Sequence, residues 1–262
     1  MGRSLLERYD AFAFDLDGVI WLAHHVIPEA PGAIQAVRDA GKPLLFLTNN
    51  AAYRPSSIVS RLAEGGIKIT EDEVLTSTSA ARSWIEREGL VGQRAFVLGV
   101  QTVIDGVADL LDVVPVQRGA KVGVVLVARD VDLTYARLTA ASDAVRDGAV
   151  FAASNRDNVM PIPGGFEPGT GSILAAVEAA SNRKAIALGK PELPMMQAAA
   201  DRLGTTGVLM VGDRCDSDVA GARRIGWDAA LVMTGVTRPG DRLEPPPDYV
   251  LTTLAELTAA RD

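Results

Sequence analysis

Eight short apolar runs alternate with segments of helical periodicity along the 262 residues of the chain. The runs are hydrophobic almost without interruption, which is typical of strands that are covered on both faces. Such strands in alternation with helices predict an α/β fold, with a doubly wound, mostly parallel, Rossmann-like sheet. The predicted strands span residues 11–16, 43–48, 94–98, 121–128, 150–153, 184–188, 208–212 and 229–233.

Helices are predicted between these strands, where apolar residues recur at a spacing of three and four. Gly41 follows the first helix and suits the position just past a helix end. The segment 160–171 is rich in Pro and Gly and predicts a loop, and the prolines at 245–247 predict a stiff connector before a last strand and helix. The predicted helices span residues 31–40, 57–64, 133–146, 171–180, 193–203 and 216–225.

Composition excludes several classes of protein. A formal net charge of −7 argues against a nucleic-acid partner, which normally requires a basic face. No stretch approaches the roughly 20 apolar residues that span a bilayer, and the N-terminus lacks the apolar core of a signal peptide. Cys215 is the single cysteine, so an internal disulfide is impossible and a reducing compartment is expected. We therefore expect a soluble cytoplasmic protein without a membrane or nucleic-acid partner.

Two carboxylates, Asp15 and Asp17, follow the first predicted strand and precede Gly18. Asp and Gly are common in turns, so a purely structural role is open. A calcium loop is disfavoured, because residues 19–22 supply none of the oxygen ligands that such a loop requires. Functionally, the pair places an attacking group and a proton-handling group at one point.

Polar residues follow the second predicted strand and also precede the helix at 193–203. Thr48, Asn49 and Asn50 offer a hydroxyl and amides that suit an oxyanion, although they also suit a turn or a helix N-cap. Lys190 lies between Gly189 and Pro191, where it can neutralise a carboxylate and a phosphoryl oxygen together. Considered without the other segments, Lys190 is explained at least as well as a surface lysine before a helix.

Acidic residues cluster after the predicted strand 208–212, at Asp213, Asp216 and Asp218. They suit Mg²⁺, which prefers a few carboxylates with water and substrate phosphate, although N-cap chemistry is an alternative. Each of these segments comes just after a predicted strand, and the carboxyl ends of parallel strands share one edge of a sheet. Carboxylates, a cation and neutral donors at one edge favour metal-assisted phosphoryl transfer.

In order, these four segments resemble the four motifs of the haloacid dehalogenase superfamily of aspartate-nucleophile phosphohydrolases. Thr48 follows Asp15 after 33 positions, and Lys190 follows Thr48 after a further 142. The second interval leaves room for an inserted cap, as in the NagD-like, 4-nitrophenylphosphatase-type branch. We predict a catalytic core at 1–79 and 186–262, and an α/β cap that sets specificity at 80–185.

The resemblance implies a Mg²⁺-dependent phosphatase acting on small-molecule phosphate monoesters such as sugar phosphates, nucleotides, glycerol phosphate or aryl phosphates. Asp15 would be the nucleophile that forms an aspartyl-phosphate, and Asp17 the general acid and base. Mg²⁺ would be held by Asp15, the backbone carbonyl of Asp17, and Asp213. Phosphoryl oxygens would be bound by Thr48, Asn49, Asn50 and Lys190. Two further residues, Gly18 and Asp218, would support these groups in the site.

Three alternatives stay open at this point. The enzyme can be a dedicated glycerol-3-phosphate or pyridoxal-phosphate phosphatase, a choice that we expect residues 155–166 of the cap to make. It can be a phosphomutase, although that normally has a smaller cap after the first motif. Alternatively, the protein is a non-catalytic phosphate- or nucleotide-binding module, although the intact motif set disfavours this.

The remaining residues of note have structural explanations. His24 and His25 suit a surface or flap contact, and Cys215 suits packing. A homodimer is open by analogy with other caps of this type.

Overall fold

The computed structural model describes residues 2–22, 25–162 and 164–260. Its strands are short, and most of the longer ones coincide with apolar runs of the sequence. They are β1 (Ala11–Asp15), β2 (Trp21–Leu22), β3 (His25–Val26), β4 (Leu44–Thr48), β5 (Val74–Thr76), β6 (Arg94–Leu98), β7 (Asp112–Val113), β8 (Val124–Val127), β9 (Val150–Ala153), β10 (Val159–Ile162), β11 (Gly165–Pro168), β12 (Ile186–Ala187), β13 (Val208–Gly212), β14 (Asp228–Val232) and β15 (Tyr249–Leu251).

The helices connect these strands, and in the described part of the chain none is long and apolar enough to cross a membrane. They are α1 (Leu5–Arg8), α2 (Ala30–Asp39), α3 (Pro55–Glu64), α4 (Ser77–Arg87), α5 (Gln101–Val107), α6 (Tyr135–Arg146), α7 (Thr170–Ser181), α8 (Leu193–Leu203) and α9 (Ala220–Arg224). Two 3₁₀ turns, Glu71–Glu73 and Leu254–Leu257, and a π-helical turn, Cys215–Val219, complete the helical segments of the described residues.

The chain divides into two compact units. The first contains the residues up to Thr48, Pro55–Leu75, and the residues from Lys190 onward. Its six-stranded sheet has the order β15-β14-β13-β1-β4-β5, and the pairs from β15 to β4 are parallel. The strand order runs outward from β1 in both directions, which makes β1 and its neighbour β13 the topological switch point. In open α/β sheets that point is where ligands bind.

Aromatic packing fills the middle of this sheet. All five residues of β1 are buried, and so are all five of β4. Phe12 and Phe14 stack with their ring centroids 6.0 Å apart, and Phe14 meets Phe46 at 5.9 Å. Since a continuously apolar strand cannot leave one face in water, its sequence requires cover on both sides. This rigid centre fixes where the carboxyl ends of β1 and β4 lie.

The second unit contains Asn49–Arg54 and Thr76–Gly189 and has a parallel sheet of its own. Its five strands have the order β12-β9-β8-β6-β7. Alternate residues of β6 pack on opposite faces: Ala95 and Val97 join one buried cluster, and Phe96 and Leu98 join the other. Both units therefore confirm the predicted α/β class with mostly parallel sheets. The cap boundaries at 80 and 185 stay a prediction.

Several sequence predictions match the structure closely, and others need correction. The predicted strands at 94–98, 150–153 and 208–212 coincide with β6, β9 and β13. The segment at 160–171, predicted as a loop, contains most of the antiparallel hairpin β10–β11. The prolines of this segment argued against strands, because proline has no N–H to donate. An isolated two-stranded ribbon nevertheless tolerates residues that cannot donate to a neighbouring strand.

The predicted helix at 216–225 is also only partly correct. Its first turn is the π-helical turn Cys215–Val219, and only Ala220–Arg224 is α-helical. The Asp218 carboxylate accepts two backbone N–H groups from Asp213 and Arg214 at the start of this turn, and this departs from regular α-helical bonding. Gly41 takes the left-handed conformation predicted for it, with φ of +68°.

The aromatic centre of the first sheet gives a stability prediction. Phe12→Ala removes a fully buried ring, and we expect the free energy of unfolding to fall by about 3–5 kcal/mol. Urea denaturation followed by circular dichroism measures this loss. Phe166→Ala is the matched control, since Phe166 is 71% exposed and its loss should change the midpoint little. An unchanged midpoint for Phe12→Ala would contradict the role given to this packing.

Candidate active site

Three neighbouring strands of the first unit end in polar residues at the same edge of the sheet. β1 ends at Asp15, β4 ends at Thr48, and Asp213 directly follows β13. These strands are adjacent in the order β13-β1-β4 and run parallel. Their carboxyl ends therefore meet at the switch point of the sheet. Lys190 comes from the segment that precedes α8 and reaches the same place.

A buried lysine joins two buried carboxylates. The Lys190 ammonium donates a hydrogen bond to Asp15 Oδ1 and lies 2.7 Å from Asp218 Oδ1. All three side chains are at least nine-tenths buried, so little water screens the charges. A charge in such a place requires a partner, because desolvation costs several kcal/mol per ion. The pairings thus fix all three groups together.

Asp218 also closes the loop that carries Asp213. Asp218 Oδ2 accepts the backbone N–H groups of Asp213 at 3.2 Å and of Arg214 at 3.1 Å. Gly212 leaves the space for this carboxylate, since a Cβ at that position would overlap it. Asp216, the third acidic residue of the segment, points away, is exposed and pairs with Arg214 at 2.8 Å.

Asp213 is held by a loop that sequence reasoning missed, residues 234–237 after β14. Asp213 Oδ2 accepts the backbone N–H of Val236 at 2.6 Å, and the Asp213 carbonyl accepts that of Thr237 at 3.2 Å. A Cβ at Gly18 or at Gly235 would overlap the Asp213 carboxylate, so both positions require glycine. The available signal was a Thr-Gly pair directly after a buried strand at the same sheet edge.

The second oxygen of Asp213 gives a direct test of whether the site fits a cation. Asp213 Oδ1 is buried and has no hydrogen-bond partner among the residues that the structure describes. One ligand atom from each of Asp15, Asp213 and Asp218 lies within 4.8 Å of the others. Carboxylate oxygens are the donors that hard divalent cations prefer. The cluster therefore fits a divalent metal ion.

The pKa values of these groups have the same physical basis. Burial raises the pKa of Asp15 well above its ordinary value, the charges of Asp218 and Asp213 raise it further, and Lys190 opposes this rise. Burial, together with the charge of Asp218, raises the pKa of Asp213 to about 7. Burial alone would lower the pKa of Lys190, but Asp15 and Asp218 outweigh it and the pKa is raised. Three carboxylates thus share one ammonium, and a divalent cation would relieve the excess negative charge.

Asp17 has a different environment from Asp15, although only Leu16 separates them. Its side chain is exposed, and its two oxygens accept hydrogen bonds from neutral donors. Oδ1 accepts from Trp21 Nε1 at 2.9 Å, and Oδ2 accepts from the Thr48 hydroxyl at 3.3 Å. An exposed carboxyl held by neutral groups can exchange protons with a bound molecule or with water.

Asn49 and Asn50 belong to the second unit. Asn49 Nδ2 donates to Asp157 Oδ2 at 3.1 Å, and the Asn49 carbonyl accepts from Asn155 Nδ2 at 2.8 Å. Asn50 Oδ1 accepts the N–H of Ala52 at 3.0 Å, which forms a local turn. The predicted site residues in the first unit are Asp15, Asp17, Gly18, Thr48, Lys190, Asp213 and Asp218. His25 is exposed on β3, and His24 lies outside the described residues.

Comparison with known proteins identifies the family. A model described as haloacid dehalogenase-like hydrolase matches residues 12–111, and one described as HAD-hydrolase-like matches residues 187–257. The chain is 31% identical to the acid sugar phosphatase of Staphylococcus saprophyticus, over 96% of this chain and 98% of that relative.

Solved structures agree with these matches. The p-nitrophenyl phosphatase from Archaeoglobus fulgidus has a TM-score of 0.89 and 30% identity, over 95% of this chain and 98% of that one. The glycerol phosphate phosphatase from Mycobacterium tuberculosis, solved in complex with magnesium, has a TM-score of 0.88 and 28% identity, over 98% of this chain and 79% of that one. These relatives favour an enzyme over the non-catalytic binding module. The chain therefore belongs to the haloacid dehalogenase-like hydrolase family and is similar to its phosphatases.

Proposed function

We propose that the chain is a Mg²⁺-dependent phosphatase that hydrolyses small-molecule phosphate monoesters through an aspartyl-phosphate. One observation carries the proposal. The buried Asp15 carboxylate contacts the Lys190 ammonium, close to Asp213 Oδ1, which has no hydrogen-bond partner in the described part of the chain. That arrangement supplies a nucleophile together with the positive charge needed to bring it close to an anionic phosphate.

Two carboxylates divide the reaction. Asp15 attacks phosphorus, so that an Asp15–phosphorus bond forms while the bond to the leaving oxygen breaks. Asp17 gives its proton to the leaving oxygen and then removes a proton from the water that cleaves the aspartyl-phosphate. The exposure of Asp17 supports this role, because the group must reach the leaving alcohol and water in turn.

The remaining residues bind and orient. Lys190 and Thr48, both in the first unit, hold phosphoryl oxygens, and Gly18 supports the site by leaving room for the Asp213 carboxylate. Asn49 and Asn50 provide amide donors from the residues that follow Thr48. Asp218 keeps Lys190 in place by its contact at 2.7 Å, which leaves Lys190 able to face both Asp15 and the phosphate.

Mg²⁺ is the metal that we propose for the acidic cluster. Asp15, the backbone carbonyl of Asp17, and Asp213 would hold it. When bound, it neutralises charge on the phosphoryl group that would otherwise repel the Asp15 carboxylate. Two observations support this choice: the relative solved with magnesium, and the buried Asp213 Oδ1, which has no hydrogen-bond partner among the residues that are described.

The second unit, predicted as a cap at 80–185, would set substrate specificity. Its segment 155–166, which begins shortly after β9 and includes β10 and the start of β11, would contribute most. The relatives named for sugar phosphate, nitrophenyl phosphate and glycerol phosphate support small phosphomonoesters as the class. A dedicated glycerol phosphate phosphatase is the second candidate, supported by the mycobacterial relative. Association of two copies through this unit is a further prediction.

A panel of phosphate esters tests the substrate class. We expect phosphate release from several small esters, and its loss when EDTA removes the metal. A strong preference for glycerol phosphate over sugar phosphates and nucleotides would favour the dedicated enzyme instead. Binding of these esters without any release of phosphate would contradict a hydrolase.

Replacement of the nucleophile gives the sharpest test of the mechanism. We expect Asp15→Asn to lower Mg²⁺-dependent hydrolysis of 4-nitrophenyl phosphate by a factor of about 10³ or more, because no aspartyl-phosphate can form. Asp216→Asn is the matched control, since Asp216 is an exposed aspartate near the same sheet edge and pairs only locally with Arg214. Near-normal turnover by Asp15→Asn would contradict the role of Asp15 as the nucleophile.

Thermal unfolding tests the metal separately from activity. Mg²⁺ at 100 times its dissociation constant should stabilise the native protein by about 2.7 kcal/mol. Asp213→Asn should abolish this gain, yet leave the metal-free protein at least as stable, because it removes a buried charge whose pKa is raised to about 7. A full Mg²⁺-dependent increase in Tm in this variant would contradict Asp213 as a ligand.

The loop 234–237 gives a related prediction. Gly235→Ala places a Cβ where the Asp213 carboxylate lies, so Asp213 must move. We expect the Mg²⁺ concentration for half-maximal thermal stabilisation to rise by about tenfold, as for other changes to residues that orient metal ligands. Gly32→Ala is the control, since the space around Gly32 in α2 is open. Equal Mg²⁺ requirements for the two variants would count against this role of the loop.

A further inference from the structure

An indole donor holds the exposed Asp17 carboxylate. Trp21 is 1% exposed, and its Nε1–H donates to Asp17 Oδ1 at 2.9 Å. The other oxygen, Oδ2, accepts from the Thr48 hydroxyl at 3.3 Å. Both donors are neutral, whereas Asp15 is held by the charged Lys190. Asp17 is therefore held at both oxygens by neutral donors.

Backbone hydrogen bonds fix the position of the indole. The Trp21 N–H donates to the Leu16 carbonyl at 3.1 Å, and the Trp21 carbonyl accepts from the Gly18 N–H at 2.8 Å. An isolated bridge between Asp17 and Trp21 closes the same turn. The Arg61 guanidinium lies 5.4 Å from the centre of the indole ring. With its ring buried and its backbone bonded, Trp21 cannot follow Asp17 into other rotamers.

We propose that Trp21 is a positioning residue that aims the carboxyl group of Asp17 at the leaving-group oxygen. This inference rests on the proposed function of Asp17 as general acid. A general acid must lie within hydrogen-bond distance of the oxygen that it protonates. An exposed aspartate at a turn otherwise samples several χ1 and χ2 angles, and only part of that population is productive. The indole N–H restricts Asp17 to one of them.

Protonation of the leaving group separates this role from a structural one. The acidic leaving group of 4-nitrophenyl phosphate departs readily without a proton, whereas that of phenyl phosphate gains much more from an acid. The two esters have nearly the same shape, so a substitution that disturbs binding should affect both esters to a similar extent. The ratio kcat/KM covers the steps up to loss of the leaving group, and hydrolysis of the aspartyl-phosphate comes afterwards.

Trp21→Phe removes the indole N–H and keeps an aromatic ring. We expect kcat/KM to fall by about tenfold with phenyl phosphate and by less than about threefold with 4-nitrophenyl phosphate. Because both values come from one preparation, their ratio does not depend on how much of the protein is folded. Trp227→Phe is the matched control: Trp227 is 4% exposed and precedes β14 at the other edge of the sheet. It should leave the ratio unchanged.

Asp17→Asn separates a failure of this inference from a failure of the mechanism. It should depress phenyl phosphate hydrolysis selectively, and adding Trp21→Phe should then change the ratio no further. An equal loss with both esters in Asp17→Asn would reject Asp17 as the general acid, and with it the proposed mechanism. A selective loss in Asp17→Asn with an equal loss in Trp21→Phe would reject only the role of Trp21.

Discussion

A buried ammonium between two buried carboxylates is the interaction on which the rest of the site depends. Lys190 contacts Asp15 and lies 2.7 Å from Asp218, so removing Lys190 would leave both carboxylates buried without a compensating charge. Asp218 in turn accepts the backbone N–H groups that begin the loop of Asp213. The proposed nucleophile, the lysine beside it and the proposed metal ligand therefore form one coupled set rather than three independent side chains.

This set is not neutral, and its imbalance has a functional explanation. Three carboxylates face one lysine, and Asp213 keeps a buried oxygen without a partner among the described residues. Gly18 and Gly235 leave room for the Asp213 carboxylate, which a Cβ at either position would overlap. Such an arrangement costs stability in the metal-free protein. Proteins keep destabilising arrangements of this kind where the binding of a ligand or a reaction requires them.

Sequence patterns predicted most of the central strands because these strands must be apolar on both faces. They missed β5 and α4, for different reasons. β5 has only three residues, Val74–Thr76, and the buried face of α4 is made largely of Ser, Thr and Ala, with Trp84 and Ile85 as its large residues. A pattern search therefore finds little contrast between the two faces of that helix.

The candidate site was predictable to the extent that it consists of side chains directly after strands. The strand order of the first unit then brings Asp15, Thr48 and Asp213 to one edge. Lys190 was expected to follow a strand of the same sheet, and this was wrong, because β12 belongs to the sheet of the second unit. The Val236 N–H that binds Asp213 was not predictable, because any residue offers a backbone donor and only the folded loop aims it. The same holds for Asn49, whose amide meets Asp157 across more than a hundred residues of sequence. Contacts of this kind form only in the folded chain, so the composition and spacing of one segment do not reveal them.

The two carboxylates of the first motif show how one turn creates two chemical environments. Asp15 is the last residue of β1 and is buried against a cation, whereas Asp17 lies beyond the strand, exposed and held by neutral donors. Leu16 between them is fully buried and anchors the chain at the point where it leaves the sheet. A nucleophile benefits from a fixed, desolvated position, and a group that exchanges protons with an alcohol and then with water requires access to both. Pairs of acidic residues with opposite surroundings are how a single site supports both tasks. The short Asp-Leu-Asp segment is therefore sufficient for the proposed division of roles, provided that the strand buries one side and the Trp21 turn supports the other.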